Sequence, residues 1–326
     1  MPAISHPDLL VGTSTGDDAA VWRVSGDRAL IATVDFFTPL VDDAFTWGAI
    51  AAANSASDVY AMGGRPLFAL NIAAWPRDVL DLDLLGDVLE GARTVADSGG
   101  WLVVGGHTID APEPMFGQSV IGEADPAKIM TNDAAHPGDV IVLTKPLGTG
   151  IVATALKRLD TAATGPGGDL ASAYPAAVAS MTSLNDVSSR VAVQHGVRAA
   201  TDITGFGLLG HLHKLAAASV VSLTLDVREI PLLPDVLGLV EGGFVPGGTG
   251  RNLEFVRAHV EADDPVPAWW RDVLNDPQTS GGLAICISPD RADSLCDALR
   301  SEGCIAAVIG EAGGANAARA GFIRLR

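Results

Sequence analysis

Aspartates beside apolar runs are the residues of this sequence best suited to chemistry. Asp18 directly precedes a strand-like run, whereas Asp35 and Asp202 directly follow such runs. Carboxylates at strand ends lie at the edge of a core, and several that converge there repel one another unless cations lie between them. Mg²⁺ is the cation expected, held by a few carboxylates together with nucleotide phosphates. Any single Asp could instead cap a turn, so the prediction depends on the whole group.

Asn54 and Asp58 form a second polar pair within an Ala-rich segment. They are four residues apart on a helix predicted over 46–62, so both side chains lie on one helical face. A solvated surface would explain such a pair, but the neighbouring residues are mostly Ala, Ser and Val. A polar pair among small residues is one that an ordinary core would avoid. We therefore predict that Asp58 joins the other aspartates in a ligand site.

The segment Gly105-Gly106-His107-Thr108 follows a strand predicted over 101–104. Glycines after a strand let the backbone approach a phosphate closely, although most such turns merely connect elements. The sequence contains neither a GxxxxGK[ST] P-loop nor a dinucleotide GxGxxG in its strand–helix context. The spacing of His107, His211 and His213 matches no zinc motif, and we interpret these histidines as structural residues or single hydrogen-bond donors.

Composition limits the class of protein. The 326 residues include 39 acidic and 21 basic side chains, and the net charge of −18 disfavours binding to nucleic acid or an anionic membrane. A hydrophobic fraction of 48% excludes a disordered chain. No apolar run approaches the roughly 18 residues that a spanning helix needs. The three cysteines fit a reduced protein, so we expect a cytoplasmic location.

Alternating strand-like and helix-like segments predict an α+β fold of mixed α/β layers. A turn-like Asp-Ala-Ala-His-Pro-Gly segment at 133–138 predicts two domains, an N-terminal domain over 1–138 and a C-terminal α+β domain over 139–326. In the second domain we predict one long helix over 171–194 and Gly-rich loops over 161–168 and 242–251.

A strand predicted over 67–74 indicates self-association. Phe68, Leu70 and Ile72 alternate along it and therefore share one face of the sheet. Aromatic residues make up only 5% of the chain, too few to cover a broad sheet, so this apolar face needs a partner layer. Closed two-fold pairing is the commonest solution, and we predict a homodimer.

The segments around these residues resemble the selenophosphate synthetases, the selenide, water dikinases. The Gly-Asp-Asp and Asn-x-x-x-Asp elements alone resemble the wider aminoimidazole-ribonucleotide-synthetase-like superfamily, whereas the strings around His107 and His211 are specific to the selenium enzymes. The matching motifs occur in the family's order over nearly the whole chain: GDDAAV at 16–21, TVDFF at 33–37, NSASDVYAMGG at 54–64, GGHTIDAPEP at 105–114, LTKPLG at 143–148, TDITGFGLLGH at 201–211, VPGGTGRN at 245–252 and DPQTSGG at 276–282.

The resemblance implies a two-domain fold of that superfamily, with ATP held by Mg²⁺ between the chains of a homodimer. The implied reaction converts ATP, selenide and water into selenophosphate, phosphate and AMP. Asp18, Asp58 and Asp202 match the family's metal-binding aspartates. Further positions match residues that line the nucleotide, and with Asp58 they form the predicted ATP site: Thr15, Gly16, Asp17, Asp35, Gly106, His107 and Thr108.

One departure from the family pattern concerns the start of the chain. The resemblance implies a Gly-rich segment with a Cys or selenocysteine and a nearby Lys before the region matching 7–12. Here no Cys precedes Cys286 and no Lys precedes Lys128, which fits a shortened chain, a misassigned start or a natural variant. The catalytic residues are therefore unassigned, and we expect the 326 residues alone to hydrolyse ATP slowly and to form no selenophosphate.

Two alternatives remain open from the sequence. Another ATP-dependent kinase or ligase of the superfamily would act on an organic phosphate acceptor, but the strings around His107 and His211 argue against it. A catalytically incomplete nucleotide-binding protein is consistent with the departure at the start of the chain. Against it, a site without function has no need of mutually repelling carboxylates.

Overall fold

Two β-sheets organise the fold in the computed structural model, which describes residues 4–159, 170–263, 266–316 and 318–326. The first sheet has six strands in the order β1-β2-β3-β6-β4-β5, and β4 and β5 run parallel while the other neighbours are antiparallel. Its strands are β1 (Leu9–Val11), β2 (Ala20–Arg23), β3 (Ala29–Phe37), β4 (Arg65–Trp75), β5 (Leu102–Asp110) and β6 (Met115–Ala124).

Helices α1 (Ala44–Ala61) and α2 (Leu82–Gly99) pack together, and α1 covers one face of the first sheet at β3 and β6. The helix α1 begins at Asp43, whose carboxylate accepts a hydrogen bond from the Thr46 amide at 2.8 Å. Close packing between the helices requires glycine, because a Cβ on Gly48 would lie 1.9 Å from the Val88 carbonyl oxygen. This packing fixes α1, and with it Asn54 and Asp58, against the sheet.

The opposite face of the first sheet is apolar, and among the described residues no element covers it. We call it the open face and define it by six residues that are between 36% and 67% exposed: Val34, Phe36, Phe68, Leu70, Leu102 and Val104. The register aligns Val34 with Ser119 and Ser119 with Leu70, so the exposed side chains form rows across the strands. The alternation predicted for the strand over 67–74 is thus present at Phe68 and Leu70.

The second sheet has seven strands in the order β10-β13-β9-β12-β7-β11-β8. Its strands are β7 (Val140–Leu143), β8 (Ala199–Asp202), β9 (Val221–Leu225), β10 (Val260–Ala262), β11 (Leu283–Ile287), β12 (Ala307–Gly314) and β13 (Ile323–Leu325). Strand β11, which lies between β7 and β8, is buried at all five positions. Its helices are α3 (Thr149–Arg158), α4 (Leu170–Thr182), α5 (Asp186–Gln194), α6 (Gly207–Ala218), α7 (Val236–Glu241), α8 (Gly247–Val256), α9 (Trp269–Leu274) and α10 (Pro289–Ser301).

Two predicted elements of the second half were wrong. The single helix predicted over 171–194 is divided into α4 and α5, because Asn185 turns inward and its amide donates to Ser57 Oγ at 2.9 Å and to the Gly281 carbonyl at 2.8 Å. The loop predicted over 242–251 contains the start of α8, which buries Thr249 and Asn252. The loop predicted over 161–168 lies outside the described residues.

The two sheets lie on either side of the predicted domain boundary, but they do not fix the residue at which it lies. The first sheet ends at Ala124 and the second begins at Val140, so the boundary after residue 138 stays a prediction. In the part of the chain that the structure describes, no helix combines the length and the apolar character needed to cross a membrane.

Candidate functional site

An acidic pocket of about 490 Å³ lies where the first sheet and α1 meet the ends of β8 and α6. Five carboxylates line it: Asp17, Asp18, Asp35, Asp58 and Asp202. Other lining residues come from both halves of the chain: Gly16, Thr33, Asn54, Thr204, Phe206, His211, Lys214 and Gln278. The structure therefore brings together all the aspartates that the sequence marked as candidate ligands.

Three separate elements carry the predicted metal-binding aspartates. Asp18 lies just before β2, Asp58 lies in the last turn of α1, and Asp202 is the last residue of β8. The loop before Asp18 turns at Gly16, whose φ of 66° is in the left-handed region that favours glycine. Hydroxyl groups hold two of the carboxylates, since Thr201 Oγ1 donates to Asp18 Oδ1 at 2.9 Å and Thr33 Oγ1 donates to Asp58.

In the described part of the chain, several buried carboxylate oxygens of this cluster lack a hydrogen-bond partner, although the charge of the buried Lys145 acts on Asp202. Asp202 is only 1% exposed, and within the described residues neither of its oxygens nor Asp18 Oδ2 has a hydrogen-bond partner. Burial first, and then repulsion from neighbouring carboxylates, raises the pKa of Asp18 and of Asp58 well above 3.8. Burial likewise raises the pKa of Asp202 to about 6. These three unpaired buried oxygens could act as ligands of a divalent cation, whose charge would offset the cost of burying the carboxylates.

The histidine at the pocket, His211, positions its neighbours. One nitrogen or oxygen each from Asp18, Asp202 and His211 lies within 4.8 Å of the others. The Thr204 backbone amide donates to His211 Nε2 at 3.2 Å, so this nitrogen is an acceptor and the ring proton is on Nδ1. Nδ1 lies 3.5 Å from Thr201 Oγ1, the hydroxyl that holds Asp18. Burial lowers the pKa of His211 to about 3, so the ring is neutral and orients Thr201 and Thr204.

Asp17 and Asp35 line the pocket but are already hydrogen-bonded. Asp17 Oδ1 accepts a hydrogen bond from the backbone N–H of Asn132 at 2.6 Å, and its other oxygen accepts one from Thr15 Oγ1. Asp35 accepts from Asn54 Nδ2, and Asn54 Oδ1 accepts from the Ser280 amide at 2.7 Å. Thr15 thus orients Asp17 through a hydrogen bond but does not itself line the acidic pocket. These bonds tie the pocket wall to residues far away in the chain.

The predicted nucleotide residues Gly106, His107 and Thr108 lie elsewhere in the same chain. They are part of β5, which continues to Asp110, so the turn expected after residue 104 was wrong. The strand continues because Gly106 pairs with Asn71 so closely that a Cβ would lie 2.2 Å from the Asn71 carbonyl oxygen. Two strands separate β5 from β3, which places these residues about 14 Å from Asp35 in the direction across the sheet.

Two pocket residues belong to α6: Lys214, which no sequence motif marked, and His211, which was expected to be a structural residue or a single hydrogen-bond donor and which positions its neighbours. They are three residues apart and therefore share a helical face. The available signal was the position of this helix directly after the Asp202 strand, which places its first turns beside the carboxylates.

The raised carboxyl pKa values predict a pH dependence of stability. The unfolded chain releases the Asp202 proton near pH 3.8, whereas the folded protein retains it to about pH 6. Between these values the folded protein binds more protons at Asp202 than the unfolded chain does, so the contribution of Asp202 to metal-free stability falls as the pH rises and levels off above about 6. We expect Asp202→Asn to flatten this fall. Melting temperatures with EDTA from pH 4.5 to 7.5 would contradict the account if both proteins gave the same profile.

Comparison with known proteins supports this description of the chain. The family "AIR synthase related protein, N-terminal domain" matches residues 16–124, and "AIR synthase related protein, C-terminal domain" matches residues 136–321. Among solved structures, thiamine-monophosphate kinase from Stenotrophomonas maltophilia K279a superposes with a TM-score of 0.69 at 21% identity, covering 98% of this chain and 92% of that one. Hydrogenase maturation protein HypE in complex with ATP gives a TM-score of 0.68 at 21% identity, covering 98% and 87%. These likenesses confirm the predicted two-domain α+β fold.

Curated relatives are much more similar in sequence. The chain is 45% identical over 313 residues to the selenide, water dikinase of Paraburkholderia xenovorans (strain LB400), covering 95% of this chain and 86% of that protein. It is 47% identical over 309 residues to the selenide, water dikinase of Myxococcus xanthus (strain DK1622), covering 94% and 85%. The resemblance of the motifs is confirmed, and the chain belongs to the AIR synthase related proteins and, among them, to the selenide, water dikinase family.

Proposed function

We propose that this chain is the ATP-dependent scaffold of a selenide, water dikinase. The reaction converts ATP, selenide and water into selenophosphate, phosphate and AMP, so one phosphoryl group passes to selenide and another to water. The observation that carries the proposal is the convergence of Asp18, Asp58 and Asp202, with unpaired buried oxygens, in a chain 45% identical to enzymes of that name. An acidic pocket with unpaired carboxylate oxygens suits a triphosphate bound together with its cations.

Asp18, Asp58 and Asp202 are the residues that would hold Mg²⁺. When bound, the ion would neutralise charge on the triphosphate as phosphoryl groups leave. Thr33 and Thr201 keep two of the carboxylates oriented through their hydroxyls. Gly16 and Asp35 form pocket walls within reach of the nucleotide, and Asn54 fixes Asp35.

The N-terminal region, residues 1–138, is proposed to bind ATP and to form a homodimer. The open face supports this, because six large apolar side chains on three strands are exposed there. A second argument comes from β5, an edge strand of the sheet. Two strands separate Gly106, His107 and Thr108 from β3 in their own chain, so they would reach a nucleotide through a second copy. Sheet-to-sheet pairing of two chains would cover the open face and would bring β5 of one chain to the pocket of the other.

A cytoplasmic location is part of the same proposal. It is supported by the thiols Cys286, Cys296 and Cys304, which are all free. A reducing compartment keeps thiols in this state.

The product of ATP consumption tests the proposed reaction. Anaerobic ³¹P NMR with Mg²⁺, ATP and selenide would compare the 326-residue chain with the same chain preceded by a relative's Cys- and Lys-containing N-terminal segment. We expect the extended protein to form selenophosphate, phosphate and AMP in equal amounts, and the shorter chain to hydrolyse ATP slowly. The extended protein carrying Asp58→Asn should lose the reaction.

Two outcomes would contradict the proposal. Formation of ADP independently of selenide would indicate another kinase of the superfamily. Robust selenide-dependent AMP release by the 326-residue chain alone would show that a group within it replaces the segment.

A further inference from the structure

Lys214 is the cationic side chain of the acidic pocket. Of the residues that line the pocket in the described part of the chain, it is the one lysine, and no arginine is among them. The neighbouring His211 is neutral, so it adds no positive charge. Five carboxylates line the same pocket as this ammonium group.

The ammonium group lies at the pocket without an ion-pair partner. Lys214 Nζ is 3.5 Å from the centre of the Phe206 ring, and within the described residues none of the ion pairs involves it. A cation–π contact at a partly exposed site contributes only about 0.5–1 kcal/mol. Phe206 therefore holds the ammonium near the pocket without engaging its three N–H donors.

The backbone around Lys214 leaves its side chain facing the loop that carries Asp18. A Cβ built on Gly16 would lie 3.9 Å from Lys214 Cδ, so the Lys214 side chain passes close to this loop. Burial is the main effect on the pKa of Lys214, which it lowers, while the charge of Asp18 raises it. The half-buried ammonium is thus next to the carboxylates that would hold the cation.

The other lysines do not line the acidic pocket, although the charge of Lys145 acts on Asp202. Lys145 Nζ is buried and donates to the carbonyl oxygens of Ser183 at 2.6 Å and Ser280 at 2.8 Å. Lys128 lies 3.7 Å from Asp125 on the surface, and Lys157 is exposed on α3. None of the three lines the acidic pocket.

We propose that Lys214 is a phosphate-binding residue of this site, and that its ammonium contacts the β- and γ-phosphates of ATP. The inference rests on the proposed function, since it presupposes a nucleoside triphosphate in the acidic pocket. An ammonium among carboxylates offsets the repulsion that a triphosphate would otherwise meet, and it supplies charge-assisted hydrogen bonds to phosphate oxygens. The residue would discriminate nucleotides by their number of phosphates.

Calorimetric binding of ATP and AMP, each with Mg²⁺, tests the proposal on the full chain. We expect Lys214→Gln to weaken ATP binding about tenfold or more, the change that loss of one charge-assisted hydrogen bond produces. Its AMP binding should remain within about twofold of wild type, because AMP lacks the phosphates in question. Lys214→Arg should retain most of the ATP affinity. Lys157→Gln, which removes the same charge from an exposed position on α3, should bind both nucleotides like wild type.

The outcomes separate this inference from the function on which it depends. Unchanged ATP binding by Lys214→Gln would overturn the inference and leave the ATP site intact. An equal loss of ATP and AMP affinity would also overturn it, because a merely structural residue gives that result. A wild-type protein that binds neither nucleotide with Mg²⁺ would overturn the proposed function and this inference together.

Discussion

Replacing Asp202 with Asn is expected to remove most of the stabilisation by Mg²⁺-ATP while leaving the ligand-free fold intact or slightly more stable. The two effects have opposite signs because Asp202 is 1% exposed and both its oxygens lack partners. Without ligand, the substitution removes a buried charge that repels Asp18 and Asp58. With ligand, it removes a carboxylate that would face the cation.

The size of this effect follows from mass action. At a ligand concentration of about one hundred times Kd, binding stabilises the native state by about 2.7 kcal/mol. A hundredfold loss of affinity would bring the ligand concentration to about Kd and leave only about 0.4 kcal/mol of this stabilisation. Thermal melts with and without Mg²⁺-ATP measure the change, and Asp58→Asn should behave in the same way. Asp290→Asn, an equal charge change at an exposed site on α10, is the control. A full ligand shift in either pocket variant would refute the metal assignment.

Replacing Leu70 with Lys is expected to convert a dimer into monomers or aggregates. Leu70 is 42% exposed at the middle of the open face, and a charge there would be buried without a partner in the proposed interface. Each chain carries a net charge of −18, so the contact must be mainly apolar to overcome repulsion between the chains. Light scattering at micromolar concentration should give the wild type twice the chain mass of 33.4 kDa.

A matched substitution separates the interface from a general effect of added charge. Leu237 on α7 is also 42% exposed, and Leu237→Lys should remain dimeric. The proposed interface fails if the wild type is a monomer at this concentration, or if the Leu70→Lys protein dimerises with unchanged affinity.

The positions of the aspartates could be predicted from the sequence because they follow from local pattern. A carboxylate at the end of an apolar strand lies at the edge of a core, and Asn54 and Asp58 share a helical face by spacing alone. Asp202 is at such a strand end, but the expectation that a strand ends at Asp35 was wrong, because β3 continues to Phe37. The pairing of β3 with β6 determines this end, and it involves residues about 80 positions away.

Long-range contacts explain what the sequence analysis missed. Asn185 ends α4 by bonding to Ser57 and Gly281, and nothing in residues 171–194 indicates those partners. The glycines of β5 resemble a turn, but the pairing of Gly105 with Leu70 and of Gly106 with Asn71 makes them part of a strand. Lys214 and His211 belong to the pocket because α6 packs beside the loop that contains Gly16 and Asp18. This packing joins residues about 190 positions apart, so no local sequence pattern indicates it.

The central claim is that Asp18, Asp58 and Asp202 hold the cations of a bound ATP. A crystal structure with Mn²⁺ and a non-hydrolysable ATP analogue, using anomalous scattering to place the metal, tests it most directly. The account predicts anomalous peaks within about 2.1 Å of oxygens from these aspartates, with the triphosphate in the same pocket. Metal peaks that none of the three aspartates contacts, or a triphosphate bound outside the acidic pocket, would contradict it.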